Sequence, residues 1–368
     1  MSSNLLLILI IFYAFVIILN YRGYSKNTVS SILTVATVFI SCYMLCATNY
    51  VSFNGDETDL DIAGYRTQYE IYDALEHADF RMYYMFYGLM HFGQVLGLSF
   101  KLWWTIMSVS AMGVLIIACR VHKYNINLFL ATFMAYYEIV FYSGLKFFYG
   151  FCFFLLAYGF LLSNTRKSQW LYVLFTLIAG GFHVMYYYFL LFLFKPLKNP
   201  KTFVWIVAVL TVLFTLLARV SGNALSFMIP FFDAIDNEHI SRYTEGTVHS
   251  GFYLAVFIHA VVVFIAYRVR KQSHQYDKDV EKSDTLFYSV LLSLLFCPFY
   301  TIALTFLRLI TAFSLIVVTA SSSLLSDSYK SRVLCSRMSL LMVFAFYLMR
   351  VFMGGFFQTS VIPYFDVF

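Results

Sequence analysis

Apolar runs of roughly 17 to 22 residues recur from one end of the chain to the other, separated by short hydrophilic segments. Each run can cross about 30 Å of hydrocarbon as a helix, the element that satisfies its own backbone hydrogen bonds in lipid. The pattern predicts helices over residues 5–20, 28–47, 102–119, 126–143, 146–163, 202–220, 251–267, 285–306, 309–324 and 338–353. The expected fold is therefore an all-α integral membrane protein, a polytopic bundle of about ten transmembrane helices. A transmembrane β-barrel would show segments of about ten alternating residues, and these runs do not alternate.

Lysine and arginine gather in the short cytoplasmic loops of membrane proteins. The basic loops at 22–26, 120–123, 166–167, 195–201, 268–282 and 330–337 are accordingly expected inside. The acidic loop at 48–81 and a second loop at 221–250 are expected outside. Two apolar stretches then fail as simple crossings. With Arg81 outside and Arg120 inside, 102–119 already supplies the passage, so 82–100 is expected along the outer interface or as a shallow re-entrant turn. The stretch 170–194 has cytoplasmic-type loops at both ends and is expected to enter, break at Gly180-Gly181 and return. Such breaks are tolerated where they line a protein-enclosed cavity. Residues 1–368 read as one polytopic domain with a retained first helix and no internal repeat.

Composition agrees with a lipid solvent: 61% of residues are hydrophobic and 12% charged, against about 25% charged in soluble domains. The net charge of +6 is dispersed over loops rather than gathered on one soluble face, which argues against nucleic acid as a partner. Cys42, Cys46, Cys119, Cys152, Cys297 and Cys335 lie mostly in or beside apolar runs without CxxC pairs. That pattern implies neither a disulfide framework nor a zinc site.

A charged side chain near a membrane helix centre costs roughly 2.5 to 3.5 kcal/mol on insertion scales, so each one needs a reason. The intramembrane candidates are Lys146, His183, Arg308 and Arg350, joined in the outer loops by Asp61, Arg66, Arg81, Lys101, His239 and Arg242. Lys146 and Arg308 occupy tight turns suited to anionic head groups, or else they snorkel and anchor helix ends. His183 follows a glycine pair and would serve as a base near neutral pH, or as a hydrogen-bonded packing residue. Asp61, Tyr65 and Tyr69 are spaced by four residues and share a helix face, where a carboxylate and two phenols could grip a sugar. The alternative for any one carboxylate of that loop is plain solvated surface.

These motifs resemble the EpsG family of bacterial polysaccharide polymerases, related in role to the Wzy O-antigen polymerases. The family's Asp-x3-Tyr-x3-Tyr is matched by Asp61, Tyr65 and Tyr69, and its next segment by 84–100, ending in Gly97-Leu98-Ser99. Gly144-Leu145-Lys146, Arg166-Lys167, Ile178-Ala179-Gly180-Gly181-Phe182-His183, Arg242-Tyr243 and Arg308 follow in the family's order. The resemblance covers about residues 50–325. Two departures stand out: the family usually has arginine at Lys146 and often an acidic residue near Arg81. Lysine keeps the charge and loses the bidentate fork.

The resemblance implies an enzyme of the bacterial cytoplasmic membrane. It would join undecaprenyl-diphosphate-linked repeat units into O-antigen, capsule or exopolysaccharide at the outer face. Lys146, Arg308 and Arg242 would stabilise the departing diphosphate, Asp61 or His183 would take the acceptor proton, and Tyr65 and Tyr69 would bind substrate. No metal, nucleotide or other cofactor is required. Membrane lipid, a chain-length regulator and a flippase are the further partners implied. Two other readings stay open: a polyprenyl-phosphate-sugar-dependent glycosyltransferase using Asp59 or Asp61, and a flippase or transporter of the lipid-linked unit. An outer-leaflet acyltransferase would need an early arginine and histidine pairing that the sequence lacks.

Overall fold

A computed structural model describes residues 12, 15–19, 31–40, 61–77, 80–132, 145–163, 165–194, 200–220, 251–301, 307–324 and 337–338. Among them every regular element is helical and no strand occurs. The chain divides into two units: residues 1–188 with 318–368, and residues 189–317.

The first unit holds α1 (Asp61–Ile71), a 3-10 turn at Ala74–Glu76, α2 (Tyr84–Val95), α3 (Phe100–Val121), α4 (Leu145–Ser163) and α5 (Arg166–Phe182). The second holds α6 (Pro200–Val220), α7 (Gly251–Gln275) and α8 (Val280–Ser293), which runs on as a 3-10 stretch, Leu294–Thr301. The unit boundary falls inside the 3-10 stretch Val184–Leu193 and inside α9 (Leu307–Leu324).

Within the described residues four segments are long and apolar enough to cross a membrane: α3, α4, Pro200–Leu217 of α6, and Val280–Tyr300. The first two match the expected 102–119 and 146–163 within two residues. The expected 251–267 and 309–324 lie within α7 and α9. The expected 5–20, 126–143 and 338–353 lie largely outside the described residues, as does the whole loop 221–250, and of the expected 28–47 the residues 31–40 are described as helix.

Two expectations are corrected. The single helix at 285–306 begins earlier, at Val280, and tightens into 3-10 at Leu294 around Pro298. Proline lacks an N–H and its ring clashes with the carbonyl four residues back, so a regular α-helix cannot continue through it. The second concerns 170–194: α5 runs unbroken through Gly180-Gly181, and the break comes at His183, whose backbone is extended at φ −150°. The glycines serve packing instead. A Cβ on Gly181 would stand 2.5 Å from Met85 Cγ, and one on Gly180 would collide with the Tyr187 ring. The described part of the 48–81 loop holds helix α1, on which Asp61, Tyr65 and Tyr69 follow at four-residue spacing, and the 3-10 turn.

Short-range chemistry explains the remaining ends. Thr165 and Ser168 form a reciprocal capping box at the start of α5, and Ser99 accepts from Leu102 N–H at the start of α3. The twelve residues of α2 make about 18 Å of helix, short of a crossing, and α2 closes in a turn where Gly97 takes φ +65°. α4 is apolar on all sides and buried along nearly its whole length against α3 and α5, as a central helix should be. α3 is two-faced: Trp103, Trp104, Met107, Ala111 and Leu115 are buried, whereas Leu102, Ile106, Val109 and Ile117 are exposed.

Candidate functional site: a lysine in an aromatic box

Lys146, at the start of the described part of α4, is the centre of the first unit's polar chemistry. Its Nζ lies 4.1 Å from the ring centroid of Tyr83, 5.0 Å from Tyr65, 5.4 Å from Tyr87 and 5.7 Å from Phe86. Aromatic faces carry the negative part of a quadrupole, and each such contact contributes about 0.5 to 2 kcal/mol, more as water is excluded. Four rings around one ammonium hold a positive charge in an environment that would otherwise disfavour it.

Three elements build the box. α1 brings Tyr65, α2 brings Phe86 and Tyr87, and the residue before α2 brings Tyr83. A polar network keeps α1 against α2 and α3. Gln94 Nε2 donates to the carbonyls of Tyr69 and Tyr72 at 2.8 and 2.7 Å, while its Oε1 accepts from Ala74 N–H. Tyr87 OH donates to Gln68 Oε1 at 3.3 Å, and Trp103 Nε1 donates to the Leu89 carbonyl at 3.0 Å. Asp73 caps the 3-10 turn by accepting from Leu75 N–H and pairs with His91 Nδ1 at 2.9 Å. The Leu75 hydrogen bond, helped by His91, holds the Asp73 carboxyl below its ordinary range.

His183 closes the other side. It is buried at the C-terminal cap of α5, with its ring edge-on to Phe147 at 5.1 Å and tilted against Tyr83 at 5.5 Å. Met185 N–H donates to His183 Nδ1 over 3.4 Å. Tyr186 OH donates to the Phe147 carbonyl at 2.9 Å, tying the segment after His183 to the turn of α4 that carries Lys146.

Lys146 and His183, far apart in sequence, thus both lie against Tyr83, and Tyr65 lies against Lys146. Tyr69 is nearby with a different occupation: its ring is buried between Phe100 and Trp103, and its hydroxyl donates to the Leu98 carbonyl at 2.9 Å. Gly93 makes room for that packing, since a Cβ there would stand 2.9 Å from the Tyr69 hydroxyl. Asp61 opens α1 one turn before Tyr65, and its side chain lies outside the described residues. Arg242 also lies outside them. Arg308 is the second residue of α9, in the other unit, and its side chain is likewise not described. Among the described residues no three His, Cys, Asp or Glu side chains gather as metal ligands would. Sequence reasoning missed Tyr83, Phe86 and Tyr87. The signal was there: an aromatic cluster in the stretch already set apart as unable to cross.

The arrangement is matched by the wider pattern of the chain, because the EpsG family model fits residues 38–365. The chain belongs to the EpsG family. No curated protein and no solved structure matches it. The EpsG match spans every element of the box as well as Arg242 and Arg308, and with the apolar helices it makes the chain a membrane protein of polysaccharide synthesis.

Proposed function

We propose that this EpsG-family chain polymerises oligosaccharide repeat units carried on undecaprenyl diphosphate, at the outer face of the bacterial cytoplasmic membrane. The observation that carries this reading is the convergence of Lys146 and His183 on one aromatic-walled site. The acceptor hydroxyl attacks the anomeric carbon of the growing chain, the bond from that carbon to the carrier's diphosphate breaks, and the diphosphate leaves with the electron pair. Negative charge develops on the leaving oxygen, where a fixed ammonium stabilises it without reorganisation. Lys146 supplies that charge. The N-terminus of α2, one residue beyond Tyr83, adds the positive end of a helix dipole.

Asp61 or His183 takes the proton of the attacking hydroxyl, and Arg308 and Arg242 are further cations for the diphosphate. Tyr65 and Tyr69 act by shaping the box and fixing α1, which sets the place of Asp61. Membrane lipid surrounds the protein, and a chain-length regulator and a flippase are its expected companions.

Deletion of the gene, followed by electrophoresis of surface polysaccharide, tests the reading. The expected result is loss of the ladder with one capped repeat remaining. Loss of a single sugar branch at normal chain length would instead support a polyprenyl-phosphate-sugar transferase. Repeats accumulating on the cytoplasmic side would support a transporter.

A further inference from the structure

Tyr83 takes no part in the chemistry above, yet both groups that do so touch it. Its ring is the nearest of the four to Lys146 Nζ, at 4.1 Å, and it also lies against His183. The other three walls are fixed. Tyr65, Phe86 and Tyr87 are buried on helices, and Tyr87 is further held by Gln68 and by a stacked contact with His77 at 4.6 Å. Phe86 is wedged against Trp103. Tyr83 alone among them is half-buried and stands outside a helix, at the end of a turn closed by Tyr83 N–H donating to the Phe80 carbonyl.

We propose that Tyr83 is the positioning residue of the site: its ring covers one side of the Lys146 ammonium and holds the His183 imidazole beside it. One ring in contact with both groups fixes their spacing, so the ammonium and the imidazole meet the substrate's diphosphate as a preorganised pair. The identity of the anion rests on the proposed function, whereas the shielding of Lys146 does not.

The test uses the full chain in nanodiscs of phosphatidylcholine and phosphatidylglycerol, with two readouts. An amine-reactive acetylating reagent and site-resolved mass spectrometry give the modification rate of Lys146. Wild type and Tyr83→Phe are expected to react slowly and alike, with Tyr83→Ala at least about tenfold faster. Tyr83→Leu, which keeps apolar bulk, is measured alongside in case the alanine variant does not fold. Polymerisation of undecaprenyl-diphosphate-linked repeats gives the kinetic split: kcat falls at least about tenfold in Tyr83→Ala with KM within about threefold of wild type, and Tyr83→Phe restores kcat. Equal Lys146 labelling in all variants would overturn the wall, and a Tyr83→Phe as defective as Tyr83→Leu would overturn the positioning role of the ring. If wild type labels as expected but makes no polymer, the proposed function falls and the shielding stands. If it polymerises while labelling ignores Tyr83, the reverse holds.

Discussion

Replacing Lys146 by methionine separates the charge from the shape of the site. Methionine is unbranched and of similar length, so the rings of Tyr65, Tyr83, Phe86 and Tyr87 keep a partner between them. The cation–π attraction, about 0.5 to 2 kcal/mol for a partly desolvated ammonium, is lost. Sulfur–aromatic contacts of about 0.3 to 1.5 kcal/mol replace much of it. The net change in stability should stay within about 1 kcal/mol. Activity responds differently, because removing one preorganised donor from the developing charge costs about 10² to 10³ in rate, or roughly 2.7 to 4 kcal/mol. Lys146→Arg keeps a cation able to stack on Tyr83 and should recover activity to within about tenfold of wild type. The assay is single-turnover extension of a radiolabelled lipid-linked repeat in nanodiscs, read beside the thermal midpoint of each variant. If Lys146→Met extends chains within about threefold of wild type, the ammonium is a helix anchor and has no part in the reaction.

Four further outcomes follow from the same structure. Gly150→Ala should cost about 1 to 3 kcal/mol by overpacking, because its Cβ would stand 2.5 Å from Tyr186 Cε2 and 2.9 Å from the backbone oxygen of Ala179. Gly113→Ala in α3, with no atom within 4 Å of the new Cβ, should instead gain about 0.5 to 1 kcal/mol from helix propensity, and thermal midpoints in nanodiscs compare the two. His183→Ala at normal protein level should abolish the polysaccharide ladder, and a ladder of normal length would return the residue to packing. Asp73→Asn should melt earlier than wild type at pH 7. The folded carboxyl is held below its ordinary range, so its contribution is full above the unfolded value of about 3.9 and disappears as pH falls through the folded one. The two melting curves should therefore converge in acid.

The helical membrane architecture was legible because lipid imposes a single rule: the backbone must satisfy itself, and long apolar runs announce where it does. The ends of α3 and α4 could be read closely, since Ser99 and the turn at 122–124 mark where the helix-forming pattern stops. The break after Gly181 was misplaced because glycine signals two things, backbone freedom and close approach. Only the neighbours, Met85 and the tyrosines 84 and 187, reveal that close approach governs here. Lys146 and His183 stood out through the cost of placing polar groups in an apolar run. Their meeting could not be read, because Tyr83, which joins them, is an uncharged aromatic far from both in sequence. Tyr69, a sugar-binding candidate by spacing, donates its hydroxyl to the Leu98 carbonyl, a partner that spacing does not disclose.

The breaks themselves distinguish functional from structural polarity. The turn before α2 and the break at His183 meet at Lys146, so non-helical backbone there borders a cation and an imidazole. In the second unit the break at Leu294 is closed by its own side chains. Buried His259 bonds Ser293 Oγ at 2.7 Å through Nε2, and Tyr300 OH lies 3.2 Å from its Nδ1, with Cys297 Sγ at 3.6 Å. Every polar atom in that cluster has a partner, as enclosure in protein demands, and it serves as a staple between α7 and the 3-10 stretch. Ser293→Ala would leave His259 Nε2 buried without that partner, at a cost of about 1 to 3 kcal/mol. The variant should therefore lower the thermal midpoint and the yield of monodisperse protein while leaving polymer length per folded molecule unchanged. A shortened ladder at unchanged stability would instead place His259 in the chemistry and undo the division between the two kinds of break.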